Sequence, residues 1–128
     1  MKTERKYKIL IVDDSKDFVQ AFQMQLEDVL KNNLDKIDVV YSGFDAVNMV
    51  KQTLYDYVFL DIRMPGLDGI ETTRYLHLVN PRLKIIAVSF HDKFTYLHKI
   101  ISAGARNYLL KDEISEEKLK FIFKEFNN

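Results

Sequence analysis

The sequence predicts an α/β fold, a doubly wound parallel sheet of five strands with the order 2-1-3-4-5 and helices on both faces. Two observations predict it. The apolar runs at 8–12, 57–60 and 83–88 are near-continuous, as expected of parallel strands covered on both sides. Strand-like runs also alternate with segments of helical period along the whole chain, and right-handed crossovers wind such a chain into one sheet. No linker, repeat or low-complexity segment breaks the alternation. The 128 residues suit a single domain spanning 1–128.

The first strand is Lys8-Ile-Leu-Ile-Val12, which runs into Asp13-Asp14-Ser15. Ser15 is a suitable helix N-cap. Phe18, Val19, Phe22, Leu26, Val29 and Leu30 then recur at helical spacing, predicting a helix over 16–31. Ile37-Asp-Val-Val-Tyr41 reads as the second strand, broken by Ser42-Gly43, with a short helix over 44–51 that turns Ala46, Val47 and Val50 inward. Tyr57-Val-Phe-Leu runs straight into Asp61, and a Pro65-Gly66 turn follows. A helix over 70–79 closes at Asn80-Pro81. The fourth strand, 83–88, ends in Ser89. A helix over 93–103 carries Phe94, Leu97, Ile100 and Ile101 on one side, and Gly104 suits a left-handed C-terminal cap. Tyr108-Leu-Leu110 is the fifth strand and ends in Lys111. Ser115 starts the last helix, with Leu119, Ile122, Phe123 and Phe126 as its stripe. The acid that completes a capping box is missing, because Lys118 stands at that position.

Composition narrows the function. Nineteen basic residues balance nineteen acidic ones, so the basic excess of a dedicated nucleic-acid binder is absent, and no direct nucleic acid contact is expected. The chain has no cysteine, which excludes disulfides and thiolate metal sites. The N-terminal Met1-Lys-Thr-Glu-Arg-Lys has no apolar signal-peptide core, and no run approaches the length of a membrane span. These features point to the cytoplasm and away from a membrane.

In open parallel sheets the ligand crevice lies at the carboxyl ends of the strands. The first strand delivers Asp13 and Asp14 there, the third Asp61, the fourth Ser89 and the fifth Lys111. Clustered carboxylates cannot all stay ionised cheaply without a cation, and hard oxygen donors favour Mg²⁺. The metal and the ammonium suit a phosphoryl group, Ser89 can donate a hydrogen bond, and Asp61 is the best placed nucleophile. One polar strand end means little; five complementary ones form a site.

With these residues in place, the chain resembles the response-regulator receiver domains of two-component phosphorelays, with their flavodoxin-like (βα)5 fold. The resemblance covers nearly the whole chain, from Tyr7 to Phe126. It rests on Asp13-Asp14, Asp61, Met64-Pro-Gly-Leu-Asp-Gly69, Ser89 and Lys111. It implies that Asp61 accepts a phosphoryl group from a sensor histidine kinase or phosphotransfer protein. Asp13, Asp14, Asp61 and the Arg63 main-chain carbonyl would bind Mg²⁺, and Tyr108 would act with Ser89 as a switch residue. Many receivers carry Pro after the lysine, with a cis peptide, where this chain has Asp112. Many carry a small residue after the Ser/Thr, where this chain has Phe90. Phe90 and the neighbouring His91 are therefore expected to shape access to the pocket. Both departures, with the stretches 61–71, 89–92 and 103–112, resemble receivers of LuxR-type helix-turn-helix regulators. Their DNA-binding half is not part of this sequence.

Three other readings compete. An aspartyl-phosphate phosphatase resembles Asp-x-Asp at its nucleophile, but residue 63 is Arg. A nucleotide-binding module needs a glycine-rich loop after the first strand, where two acids stand instead. A phosphorylation-independent interaction module usually loses part of the acceptor set. His77, His91 and His98 share no metal-ligand spacing. Phosphorylation is expected to change self-association or partner binding through the 93–103 helix, the fifth strand and the last helix, with homodimerisation as one outcome.

Overall fold

The computed structural model describes residues 5–63, 68–90 and 94–126. His91, the expected Pro65-Gly66 turn and the side chains of Phe94, Tyr96 and Phe126 lie outside the described part. Five strands, β1 (Tyr7–Val12), β2 (Leu34–Val40), β3 (Tyr57–Asp61), β4 (Lys84–Ser89) and β5 (Asn107–Leu110), alternate with five helices. The helices are α1 (Lys16–Leu30), α2 (Gly43–Gln52), α3 (Gly69–Val79), α4 (Phe94–Ala103) and α5 (Glu116–Phe126). All strand pairs are parallel and the order is β2-β1-β3-β4-β5, as the sequence predicts.

Successive side chains of a strand point to opposite faces, so each central strand feeds two cores. Ile9, Ile11, Tyr57, Phe59, Ile86 and Val88 pack on one face against α1 and α5. Leu10, Val12, Val58, Leu60, Ile85 and Ala87 pack on the other against α2, α3 and α4. This double burial explains the lack of polar alternation in these strands. Aromatic contacts tie the first core together: Phe22 meets Phe59 edge-on at 5.0 Å, and Tyr57 meets Phe123 edge-on at 4.8 Å.

The helix starts follow the expected chemistry. Ser15, Ser42, Asp68 and Ser115 each accept a hydrogen bond from the amide three residues on. The end of α4 is a Schellman motif: the Gly104 amide donates to the Ile101 carbonyl and the Ala105 amide to the Ile100 carbonyl. Gly104 has a φ of 127°, and a Cβ there would press on His77 at 2.8–2.9 Å.

Three expectations need correction. The second strand begins at Leu34, earlier than the apolar run at 37–41 suggests, and Tyr41 lies outside it. Ladder pairing with β1 needs only backbone, so the edge strand extends through exposed Asp35 and Lys36. Tyr41 leaves the ladder where Ser42 caps α2, and its half-exposed ring sits under the Lys16 ammonium. On α4, Ile100 is fully buried but Ile101 is exposed, since adjacent helical positions cannot share one face.

Gly69 sets how closely α3 approaches the end of β3. A Cβ at Gly69 would lie 2.2 Å from the Ile62 Cα, and the Gly69 amide donates to the Ile62 carbonyl at 3.3 Å. Backbone sits on backbone immediately after Asp61. Gly69→Ala is expected to destabilise the fold by about 3 kcal/mol, the upper part of the overpacking range, as measured by urea denaturation.

Candidate functional site

Strand register brings the polar strand ends together. Asp61 pairs with Val88 across β3 and β4, and Ser89 pairs with Leu110 across β4 and β5. Lys111 follows at once, as the first residue of a 3-10 turn over Lys111–Glu113. On the other side, the Asp13 amide donates to the Val40 carbonyl beyond the end of β1.

The carboxylates of Asp13, Asp14 and Asp61 offer oxygens within 4.8 Å of one another. Asp13 and Asp61 are buried, whereas Asp14 is exposed. The Lys111 Nζ lies 2.8 Å from Asp13 Oδ2 and 3.3 Å from Asp61 Oδ2, with only 4% of its side chain exposed. Backbone amides fix the opposite oxygens: Ser15 N–H donates to Asp13 Oδ1 at 2.8 Å and Arg63 N–H to Asp61 Oδ1 at 3.0 Å. Ser89 is buried, and it lines a 250 Å³ pocket with Asp61, Arg63, Phe90 and Lys111. Phe90 is 63% exposed, and the centroid of its ring is 5.3 Å from the Lys111 Nζ. The Phe18 ring, on α1, is nearer still at 4.4 Å.

Every site residue expected from the sequence and described here converges on this edge except Tyr108. It sits two positions back from Leu110, partly buried against the α3–α4 core. Arg63 has an exposed side chain, and its backbone amide holds Asp61 Oδ1. Phe18 was legible only as a core residue of α1. The missed signal is its place in the first turn of a helix that starts just after Asp13-Asp14, within reach of the same strand ends.

Burial pushes the Asp13 carboxyl above its usual value, and the Asp61 charge adds to the rise. Lys111 and the Ser15 amide pull it down without cancelling the burial effect. The donor set fits a hard divalent cation: three carboxylates meet, and Asp13 Oδ2, though ion-paired with Lys111, accepts no well-aligned hydrogen bond among the described residues. Such a cluster can neutralise and position a phosphoryl group.

Known proteins agree with this architecture. The response regulator receiver domain family matches residues 9–124. The chain is 34% identical over 112 residues to the transcriptional regulatory protein DegU of Brevibacillus brevis, covering 85% of this chain and 45% of DegU. It thus spans about half the length of DegU and of several other curated relatives. The receiver domain of the histidine kinase CKI1 from Arabidopsis thaliana, solved with Mg²⁺, superposes with a TM-score of 0.82 at 26% identity, covering 97% of this chain and 94% of that one. The NarL receiver domain from Mycobacterium tuberculosis shares the fold, with a TM-score of 0.83 at 22% identity over 94% of this chain and 95% of that one.

The raised Asp13 carboxyl has a definite pH signature. From the ordinary value of 3.8 up to its raised folded value, the native metal-free protein holds this proton more tightly than the unfolded chain does. The contribution of Asp13 to stability therefore falls as pH rises through that window. Urea denaturation of metal-free protein from about pH 4 to about pH 7 is expected to show Asp13→Asn gaining on wild type as pH rises.

Proposed function

The chain belongs to the response regulator receiver-domain family, and on that footing we propose that it is a signalling switch phosphorylated on Asp61. The observation that carries this reading is the shared pocket of Asp61, Ser89 and Lys111 beside the Asp13 and Asp14 carboxylates. The donor is a phosphohistidine on a sensor histidine kinase or phosphotransfer protein. An Asp61 oxygen attacks phosphorus, the phosphorus–nitrogen bond breaks, and the donor imidazole leaves with the bonding pair. The product is an acyl phosphate on Asp61.

The chain's own residues prepare that step. The Arg63 amide holds Asp61 Oδ1, which leaves Oδ2, beside Lys111, as the attacking oxygen. Lys111 neutralises charge on the transferred oxygens, and Ser89 donates a hydrogen bond to one of them. Asp13, Asp14, Asp61 and the Arg63 main-chain carbonyl would hold Mg²⁺. When bound, the ion supplies divalent charge that offsets the carboxylates and the phosphoryl oxygens. Arg63 stands where an aspartyl-phosphate phosphatase would need its second acid, which favours a regulatory domain over a turnover enzyme.

Residues 1–128 act as one receiver domain in the cytoplasm, regulating an output through other proteins without touching nucleic acid themselves. Where the chain is part of a longer regulator, transcription is the output. Among the described residues no helix is long and apolar enough to cross a membrane. The output surface is the α4–β5–α5 side. An apolar cleft of 680 Å³ opens there, lined by Leu97, Tyr108, Phe121 and Ile122 among others. Movement of Ser89 toward a phosphoryl oxygen frees space behind it, and Tyr108 on the neighbouring strand can turn into that space. The Ser89–phosphoryl hydrogen bond supplies the differential contact that a population shift requires.

Incubation with acetyl phosphate and Mg²⁺ is expected to give an acid-labile, hydroxylamine-sensitive label that Asp61→Asn abolishes; full labelling of that variant overturns the assignment. Asn at both 13 and 14 is expected to weaken Mg²⁺ binding by more than about tenfold in a titration, since even the outer partners of a metal site are worth that much.

Beryllofluoride, as a stand-in for the phosphoryl group, is expected to alter self-association in sedimentation and amide exchange along α4. Unchanged profiles in both would remove the α4–β5–α5 surface from the mechanism.

A further inference from the structure

We propose that Phe18 and Phe90 form a two-sided aromatic clamp on the Lys111 ammonium and position it toward Asp61. The inference rests on the reading of Asp61 as acceptor, because it names what aims the cation at that residue.

A lysine ammonium is a compact, strongly hydrated charge on a flexible stem, and nothing in the stem itself fixes its direction. At Lys111 most of the hydration is gone, with 4% of the side chain exposed. Carboxylates stand close by, Asp13 at 2.8 Å and Asp61 at 3.3 Å. Aromatic faces supply further contacts, Phe18 at 4.4 Å and Phe90 at 5.3 Å from ring centroid to Nζ. Both distances fall within the range of a cation–π attraction. A ring face attracts the charge without accepting a strong hydrogen bond. The N–H donors therefore stay free to point at Asp61 Oδ2, which one of them already meets, and at any oxygen later carried by Asp61.

The two jaws are unlike. Phe18 stacks on Phe22 at 5.3 Å with 21° between the planes, and Phe22 is fully buried and edge-on to Phe59. That jaw is anchored in the core. Phe90 is 63% exposed and follows Ser89 directly in the chain. A shift of Ser89 toward a phosphoryl oxygen would therefore carry the second ring with it, and the clamp would tighten or open with the state of Asp61. The pairing also accounts for a large apolar ring at the pocket mouth with so little cover.

The test separates position from bulk. Phe18→Leu keeps an apolar side chain against Phe22 but removes the ring face, and Phe18→Tyr keeps the ring. Phe90→Leu does the same at an exposed site where folding is not at risk. In lysine-labelled protein, NMR of the Lys111 ε-methylene is expected to show an upfield ring-current shift. Each Leu variant should reduce it and Phe18→Tyr should retain it. Phosphoryl uptake from acetyl phosphate with Mg²⁺ is expected to slow about two- to fivefold in Phe18→Leu, the factor that an ordinary cation–π contact is worth, and to recover in Phe18→Tyr. Unchanged ε-methylene shifts in both Leu variants would overturn the clamp. So would an uptake rate in Phe18→Leu equal to wild type, or one that Phe18→Tyr fails to restore. If wild type itself takes up no phosphoryl group, the switch reading fails, and the ring-current shifts alone decide the clamp.

Discussion

The ion pair of Lys111 with Asp13 and Asp61 is the constraint on which the rest of the structure depends. Two carboxylates and an ammonium have been taken largely out of water at one edge of the sheet. Such a group is costly to desolvate, and removing Lys111 would leave two buried carboxylates uncompensated, at a cost of about 3–5 kcal/mol. The neutralisation is also incomplete, because Asp14 adds a third carboxylate to the same cluster. Burial holds the Asp13 carboxyl above its ordinary value even with Lys111 against it. The folded pocket therefore favours a proton or a further cation. A site in this condition is receptive to a divalent ion by construction, and stability is the cost of that receptivity.

Sheet architecture makes the arrangement possible. No local stretch could hold Asp13, Asp61 and Lys111 together, since about fifty residues separate each from the next. Parallel register does it: β1, β3, β4 and β5 end within two residues of one level, so consecutive strand ends share one edge. The register is fixed because each central strand is apolar on both faces, and a one-residue slip would exchange the contents of two differently shaped cores. Close approach finishes the site. Gly69 seats α3 against the Ile62 backbone, and the Arg63 amide turns back onto Asp61 Oδ1.

Much of this was legible in the residues, for physical reasons that differ by element. The central strands were readable because double burial leaves near-continuous apolar runs, and the site because complementary polar residues follow the first, third, fourth and fifth strands. The start of β2 was not readable, since an edge strand pairs through its backbone while Asp35 and Lys36 face water. Ile101 could not be told from Ile100, because composition does not fix the rotation of a helix to one residue. The contact of Phe18 with Lys111 was hidden for another reason. Helical periodicity assigns an aromatic to the core, and only the three-dimensional position of the strand end shows that the same ring also faces a cation.

The distribution of packing gives the proposed switch a direction. Close-packed interiors resist local displacement, and a fold yields where contacts are few. On the α1 side, stacked and edge-on rings from Phe18 through Phe22 to Phe59 leave little room for movement. On the other side Ser89 is followed by exposed Phe90, and the neighbouring strand carries half-buried Tyr108 beside the apolar cleft. A pull on Ser89 therefore meets the least resistance toward β5 and α4. The anchored jaw on Lys111 keeps the charge in place while the other edge moves. A rigid acceptor site and a compliant output surface can then coexist in one small sheet, because the stiff and soft sides begin at the two rings that face the same lysine.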